Sequence, residues 1–225
     1  MIDYNIISTG SKGNALVINK NILIDCGVPF KALKDVYEGL RIVLLTHKHG
    51  DHFNRSTIQN LAKNRPTLRF GCCEWLVKAV CECGVEKRNI DVYTPGYCFF
   101  YKDFCTIQAD RTVHNAENCA YHIWMGDVAI FYATDTNSMD GIVAKNYNIY
   151  FVEANYSEDE IVERIKRKQD EGTYCYEWDV LNNHLSLEKA NNWLYENMGP
   201  RSSYVLIHGH TEESTDGRGG VCCLT

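Results

Sequence analysis

His47, His49, Asp51 and His52 fall within six residues of one another, in Thr46-His47-Lys48-His49-Gly50-Asp51-His52. Imidazole nitrogens and a carboxylate at that spacing are the donor types of a divalent-metal site. From one loop, His47 and His49 can point to one position while Asp51 and His52 turn to a second. The chain holds only eight histidines, a concentration here that a solvated turn does not need. The chemistry open to such a cluster is hydrolysis by metal-activated water. Further donors follow later apolar runs: His114 after 106–113, Asp135 after 130–134 and His208 after 204–207. Singly each would pass for a surface or capping residue, but beside the cluster they read as ligands. His210 is the alternative to His208, which is preferred because it follows its apolar run directly. His122, inside the run 120–125, reads as structural.

Buried strands must carry these residues. Ile42-Val43-Leu44-Leu45-Thr46 is a short apolar run suited to a strand covered on both faces. Before it, 4–8, 15–18 and 22–25 read as strands around the Gly-Ser turn Gly10–Asn14, whose backbone N–H groups could face an anion. A helix is expected over 28–37, another over 56–64 ended by Pro66, and a third over 74–83 ended by Gly84. Strands return at 69–71, 97–101, 104–110, 120–125, 128–133, 148–153 and 204–208. Ser157 and Glu160 form a capping-box signature for a charged helix reaching Gly172, and 185–197 reads as a further helix. The alternation of sheet and helix, repeated once, predicts an α/β four-layer sandwich, αββα, as one domain over 1–211, with 212–225 expected to be a flexible tail.

Net charge is −6 over 225 residues, so nucleic acid would need a local basic patch, for which Arg164, Lys166, Arg167 and Lys168 are the candidates. No apolar run is long enough to span a bilayer, and the first residues lack the pattern of a signal peptide. The eleven cysteines include the adjacent pairs Cys72-Cys73 and Cys222-Cys223, which do not bridge easily. Reduced thiols in a cytoplasmic protein with no membrane partner are therefore expected.

The stretch Thr46–His52, followed in order by His114, Asp135 and His208, resembles the metallo-β-lactamase-fold hydrolases, and most closely the branch with RNase Z and the YycJ-like exonucleases. Gly10-Ser11-Lys12-Gly13-Asn14 is similar to that branch's Gly-Ser-Ser-Gly-Asn loop. Glu153-Ala154-Asn155 and Asn183-His184-Leu185-Ser186-Leu187-Glu188 resemble its later landmarks. The resemblance implies two divalent metal ions, zinc as first choice and manganese as second. His47, His49 and His114 would hold one ion, Asp51, His52 and His208 the other, and Asp135 would bridge them. It also implies that His184 contacts phosphate and protonates the leaving oxygen, and it leaves a homodimer open. Asn115, Asn155-Tyr156 and Ile207-His208-Gly209-His210 depart from the branch's usual residues.

Asp135 stands where common β-lactamases carry cysteine, which disfavours antibiotic hydrolysis. The 48 residues between Asp135 and His184 leave no room for the inserted domain of the larger RNA-processing nucleases. The expected function is thus a dinuclear phosphodiesterase or nuclease, with Asp51 and His184 catalytic and a metal-bridging hydroxide attacking phosphorus. Its substrate would be nucleic acid or a small nucleotide. The alternatives are a cyclic-nucleotide phosphodiesterase, a thioester hydrolase of the glyoxalase II type, and a silent metal-binding module.

Overall fold

The computed structural model describes residues 2–209 and 221–222. The chain divides into two compact units, Met1–Phe100 and Tyr101–Thr225.

In the first unit six strands form one mixed sheet in sequence order: β1 (Tyr4–Ser8), β2 (Ala15–Ile18), β3 (Ile22–Ile24), β4 (Ile42–Leu45), β5 (Arg69–Cys73) and β6 (Ile90–Tyr93). β1 to β3 are an antiparallel meander, and β3 to β6 run parallel. All four residues of β4 are buried, as a strand flanked by parallel neighbours requires. Val17, Leu23, Val43, Leu45 and Phe70 pack with Ile58 and Leu61 of helix α1 (Arg55–Asn64) and Leu76 and Val80 of helix α2 (Glu74–Glu82). Asn54 caps α1, its side chain accepting from the Thr57 N–H at 3.1 Å. The helix expected over 28–37 is instead two 3-10 turns, Phe30–Leu33 and Tyr37–Gly39, within which only Leu33 is buried. That is too little apolar contact to hold a longer helix. β6 is not among the expected strands.

In the second unit the sheet order is β13-β12-β11-β10-β9-β8-β7, with β7 (Cys98–Tyr101), at which the chain leaves the first unit, on the edge. β8 (Cys105–Thr112), β9 (Asn118–Met125) and β10 (Val128–Ala133) are antiparallel, and β10, β11 (Ile149–Glu153) and β12 (Ser203–Ile207) are parallel. β13 (Val221–Cys222) pairs antiparallel with β12. The rest of the expected tail lies outside the described residues. Ala190, Trp193 and Leu194 of helix α5 (Leu187–Asn197) join Phe131, Ala133, Tyr150 and Val152 in one apolar cluster. The Trp193 indole N–H donates to the Ile142 carbonyl at 3.0 Å, which satisfies its polar edge.

Helices α3 (Glu158–Asp170) and α5 begin side by side and cap one another. The expected capping box does not form, since the Ser157 side chain makes no cap bond. Instead Glu188 of α5 accepts from the Glu158 N–H at 3.1 Å and from the Ser157 hydroxyl at 3.3 Å. Ser186 caps α5, accepting from the Lys189 N–H at 3.1 Å, and donates to the Glu158 carboxylate at 2.8 Å. A carboxylate across the gap satisfies the orphan donor as well as one in its own helix would. The short helix α4 (Glu177–Asn183), absent from the expected elements, precedes this junction. None of the described helices is long and apolar enough to cross a membrane.

Candidate metal and catalytic centre

Each unit carries a cluster of polar residues at the ends of its buried strands. In the first unit the centre is Asp25, directly after β3 and fully buried. Its carboxylate accepts from the Thr46 N–H at 2.9 Å, from the Thr46 hydroxyl at 2.9 and 3.0 Å, and from His52 Nδ1 at 2.7 Å. The single hydroxyl hydrogen of Thr46 goes to Asp25, so at its 3.0 Å contact with His47 Nδ1 the hydroxyl accepts. Both His47 and His52 therefore carry hydrogen on Nδ1 and a lone pair on Nε2, the tautomer that second-layer carboxylates impose on metal-binding histidines. His47 Nε2 converges on His49 Nδ1 at 3.1 Å, and Asp51 Oδ2 lies 3.5 Å from His52 Nε2.

Three loops hold this half-site. The Asn14 N–H donates to the Asp51 carbonyl at 2.6 Å, Gly27 N–H to the Asn14 carbonyl at 2.9 Å, and Cys26 N–H to the His52 carbonyl at 3.0 Å. The Asn14 side-chain carbonyl accepts from the Gly10 N–H at 2.8 Å, and its amide lies 2.8 Å from His52 Nε2. The Gly10–Asn14 loop thus commits the N–H groups of Gly10, Gly13 and Asn14 to the protein itself, Gly13 donating to the Gly10 carbonyl. Asn14 thereby braces the His47–His52 loop, and these three N–H groups are turned to the protein and not to an anion. Gly27 makes the approach feasible: a Cβ there would stand 1.7 Å from the Asp51 carbonyl oxygen.

In the second unit, Asp135 follows β10, His208 follows β12, and Glu153 ends β11. Asp135 Oδ1 accepts from the Thr134 hydroxyl at 2.8 Å and from His208 Nδ1 at 2.6 Å, while Oδ2 lies 3.8 Å from His114 Nε2. His114 Nδ1 donates to the Asn183 carbonyl at 3.1 Å, which again puts the lone pair on Nε2. His184 is the C-cap of α4, three residues before α5 begins. Its Nδ1 donates to Glu153 Oε1 at 2.5 Å; Oε2 of the same carboxylate accepts from the Thr136 and Leu185 N–H groups at 2.9 and 3.4 Å. Asp135, Glu153, His184 and His208 each offer a ligand atom, all within 4.8 Å of one another. In this group Glu153 and His184 Nδ1 are already engaged with each other and with backbone N–H groups, which leaves Asp135 and His208 as donors of the kind zinc or manganese takes.

Sequence reasoning missed Asp25 and gave Glu153 no role. Both are carboxylates at the end of an apolar strand, the same signal that singled out Asp135. Asp25, Asp135 and His208 share a further property: φ is 56°, 50° and 56°, in the left-handed region. Such backbone is unfavourable for these residues and concentrates at functional sites. His122 is structural, as expected, held between Asp110 at 3.0 Å and the Tyr147 hydroxyl at 3.0 Å. His210 lies outside the described residues. Cys26, Cys72 and Cys73 are buried thiols outside any disulfide. Burial and the neighbouring Cys73, Cys81, Glu74 and Asp91 push the Cys72 thiol up to about 12.

The chain's structure resembles those of YhfI from Bacillus subtilis, a metallo-β-lactamase fold protein, and of the short form of human tRNase Z. The first is 17% identical, with a TM-score of 0.71 over 92% of this chain and 86% of YhfI. The second is 14% identical, with a TM-score of 0.70 over 93% of both chains. A diphosphatase of the PhnP family is 12% identical, with a TM-score of 0.63 over 93% of this chain and 87% of its own. No curated protein matches significantly. The family model for the beta-lactamase superfamily domain matches residues 20–208; with two mixed sheets and their helices in the metallo-β-lactamase fold, the chain belongs to that superfamily.

Proposed function

We propose that the chain is a metal-dependent phosphodiesterase that takes a pair of divalent cations, zinc in first place. His47, His49 and His114 would hold one cation and Asp51, His52 and His208 the other, with Asp135 shared. Bound metal supplies an acidified water and neutralises charge on the phosphoryl oxygens. The observation that carries the reading is the Glu153–His184 pair. Glu153 is fully buried and its carboxylate is saturated by three protein donors, so its role is to position. It fixes the His184 Nδ1 hydrogen and leaves Nε2 as the nitrogen from which a protonated ring can deliver a proton to a departing ester oxygen. A thioester hydrolase has less need of a proton donor, because a thiolate leaves readily. The likeness to tRNase Z and to the PhnP-family diphosphatase also favours phosphorus over carbonyl chemistry. Nucleic acid is the first-choice substrate; the net charge of −6 keeps a small or cyclic nucleotide as the second reading.

The test is turnover of bis(p-nitrophenyl) phosphate by the full chain loaded separately with zinc and with manganese. Turnover that falls in the His184→Ala variant at unchanged metal content is expected. A metal-loaded protein inert to this ester, to single-stranded DNA and to cyclic nucleotides would overturn the proposal.

A further inference from the structure

Positions 174–178 alternate between water and protein. Tyr174, Tyr176 and Trp178 are 79%, 49% and 51% exposed, whereas Glu177 is 1% exposed and Cys175 is half-buried. The inward residues are tied down. Cys175 Sγ donates to Glu177 Oε2 at 3.4 Å, and Lys168 of α3 forms an ion pair with Glu177 Oε1 at 2.9 Å. The same ammonium lies 3.7 Å from the centroid of the Tyr176 ring, a cation–π contact. Tyr174 donates its hydroxyl to Asp179 at 3.3 Å. The rings are thus held outward by a buried anchor, and three large aromatics facing water within five residues mark an interaction surface.

We propose that Tyr174, Tyr176 and Trp178 form a stacking row for the bases of single-stranded nucleic acid, placed to lead the strand to His184. Aromatic rings stack on bases of any sequence, and nearby cations hold the backbone. Lys166 and Arg167 are exposed on the last turns of α3, and Lys168 lies over Tyr176. Asp170, Glu171 and Asp179 are exposed as well, so the rings supply most of the attraction and salt dependence is shallow. Helix α4 carries the row toward the catalytic pair: Trp178 stands in its first turn and His184 at its C-cap, about 9 Å along the axis at 1.5 Å per residue. The inference deepens the proposed phosphodiesterase reading and rests on it for its direction toward His184.

The experiment pairs binding with small-substrate turnover. Fluorescence anisotropy of a labelled dT15 probe is measured at low salt for the full chain, for Tyr174→Ala with Trp178→Ala, and for Trp178→Phe. Turnover of bis(p-nitrophenyl) phosphate is measured on the same samples, with circular dichroism to confirm the fold. The double variant is expected to bind dT15 about tenfold or more weakly while small-ester turnover stays at the parent level. Trp178→Phe should keep most of the affinity. If the parent does not bind dT15, as for a row that docks a protein partner, or if the double variant binds it equally well, the inference is overturned. Ring-dependent dT15 binding without small-ester turnover would instead sink the phosphodiesterase reading and leave the row standing.

Discussion

The two half-sites are assembled in opposite ways. In the first unit the four donor residues come from one six-residue loop, and two other loops brace that loop through backbone hydrogen bonds. In the second unit His114, Asp135, His184 and His208 come from separate connections spread along the chain, and side chains hold them: Asp135 to His208, Glu153 to His184. The first is rigid because backbone is locked to backbone around the one buried carboxylate, Asp25, that holds Thr46 and His52. The second depends on a few buried carboxylates, each with several donors. Damage should therefore show as lost stability in the first unit and as lost chemistry in the second.

The largest effect is expected from His184→Ala. Small-ester kcat should fall by about 10²–10⁴-fold, with metal content by mass spectrometry and the melting temperature close to parent. Metal loss or unfolding in this variant would remove the contrast. Glu153→Gln keeps the shape and the acceptor for the backbone N–H groups but weakens the hold on His184. A kcat loss of about 10- to 100-fold is expected, by analogy with residues that orient metal ligands, again with little change in metal content.

Stability should answer in the first unit. Gly27→Ala forces the Asp51 carbonyl to move, since the new Cβ would overlap it, and should cost about 1–3 kcal/mol by overpacking. Gly50→Ala is the control in the same loop, because nothing lies within 4 Å of a Cβ there. Thermal unfolding of the two decides; equal melting temperatures would refute the account of Gly27.

The two units also differ in their pH response, a smaller effect. Burial opposes ionisation of Glu177, yet the hydrogen bond from Lys168, backbone and Cys175 contacts hold its carboxyl below the usual 4.5 of a glutamate. That stability is present above about 4.5 and is lost as pH falls through the lower folded value. Cys72 has the opposite sign: its thiol, raised from 9.0 to about 12, contributes stability that is complete below about 9 and is lost as pH rises toward about 12. Unfolding followed across pH should show Lys168→Met reducing the acid sensitivity and Cys72→Ala the alkaline one. Unchanged profiles would show that neither group matters.

This contrast also explains what was legible from sequence. His47 to His52 announce themselves because they are adjacent, and β4 because its burial on both faces demands an unbroken apolar run. Asp25 and Glu153 do the same kind of work from isolated positions, where one carboxylate after a strand looks like any turn residue. The lost helix over 28–37 and the exchanged caps of α3 and α5 share a cause. Tertiary contacts decided both: too few apolar ones to hold the helix, and a carboxylate from the neighbouring helix in place of the local cap. His184 directly precedes the helix expected over 185–197, but its orientation comes from Glu153, 31 residues away, which no local pattern encodes.

The left-handed backbone at Asp25, Asp135 and His208 sets the site against the fold that carries it. Relaxing such a residue to glycine removes about 1–2 kcal/mol of strain. Glycine at these positions would lift that strain but strand the buried donors that Asp25 and Asp135 satisfy, at about 1–3 kcal/mol for each group left unpaired, so the strained backbone and the polar network of the site stand or fall together. Engineering of this scaffold therefore has to hold these three positions fixed and seek stability elsewhere.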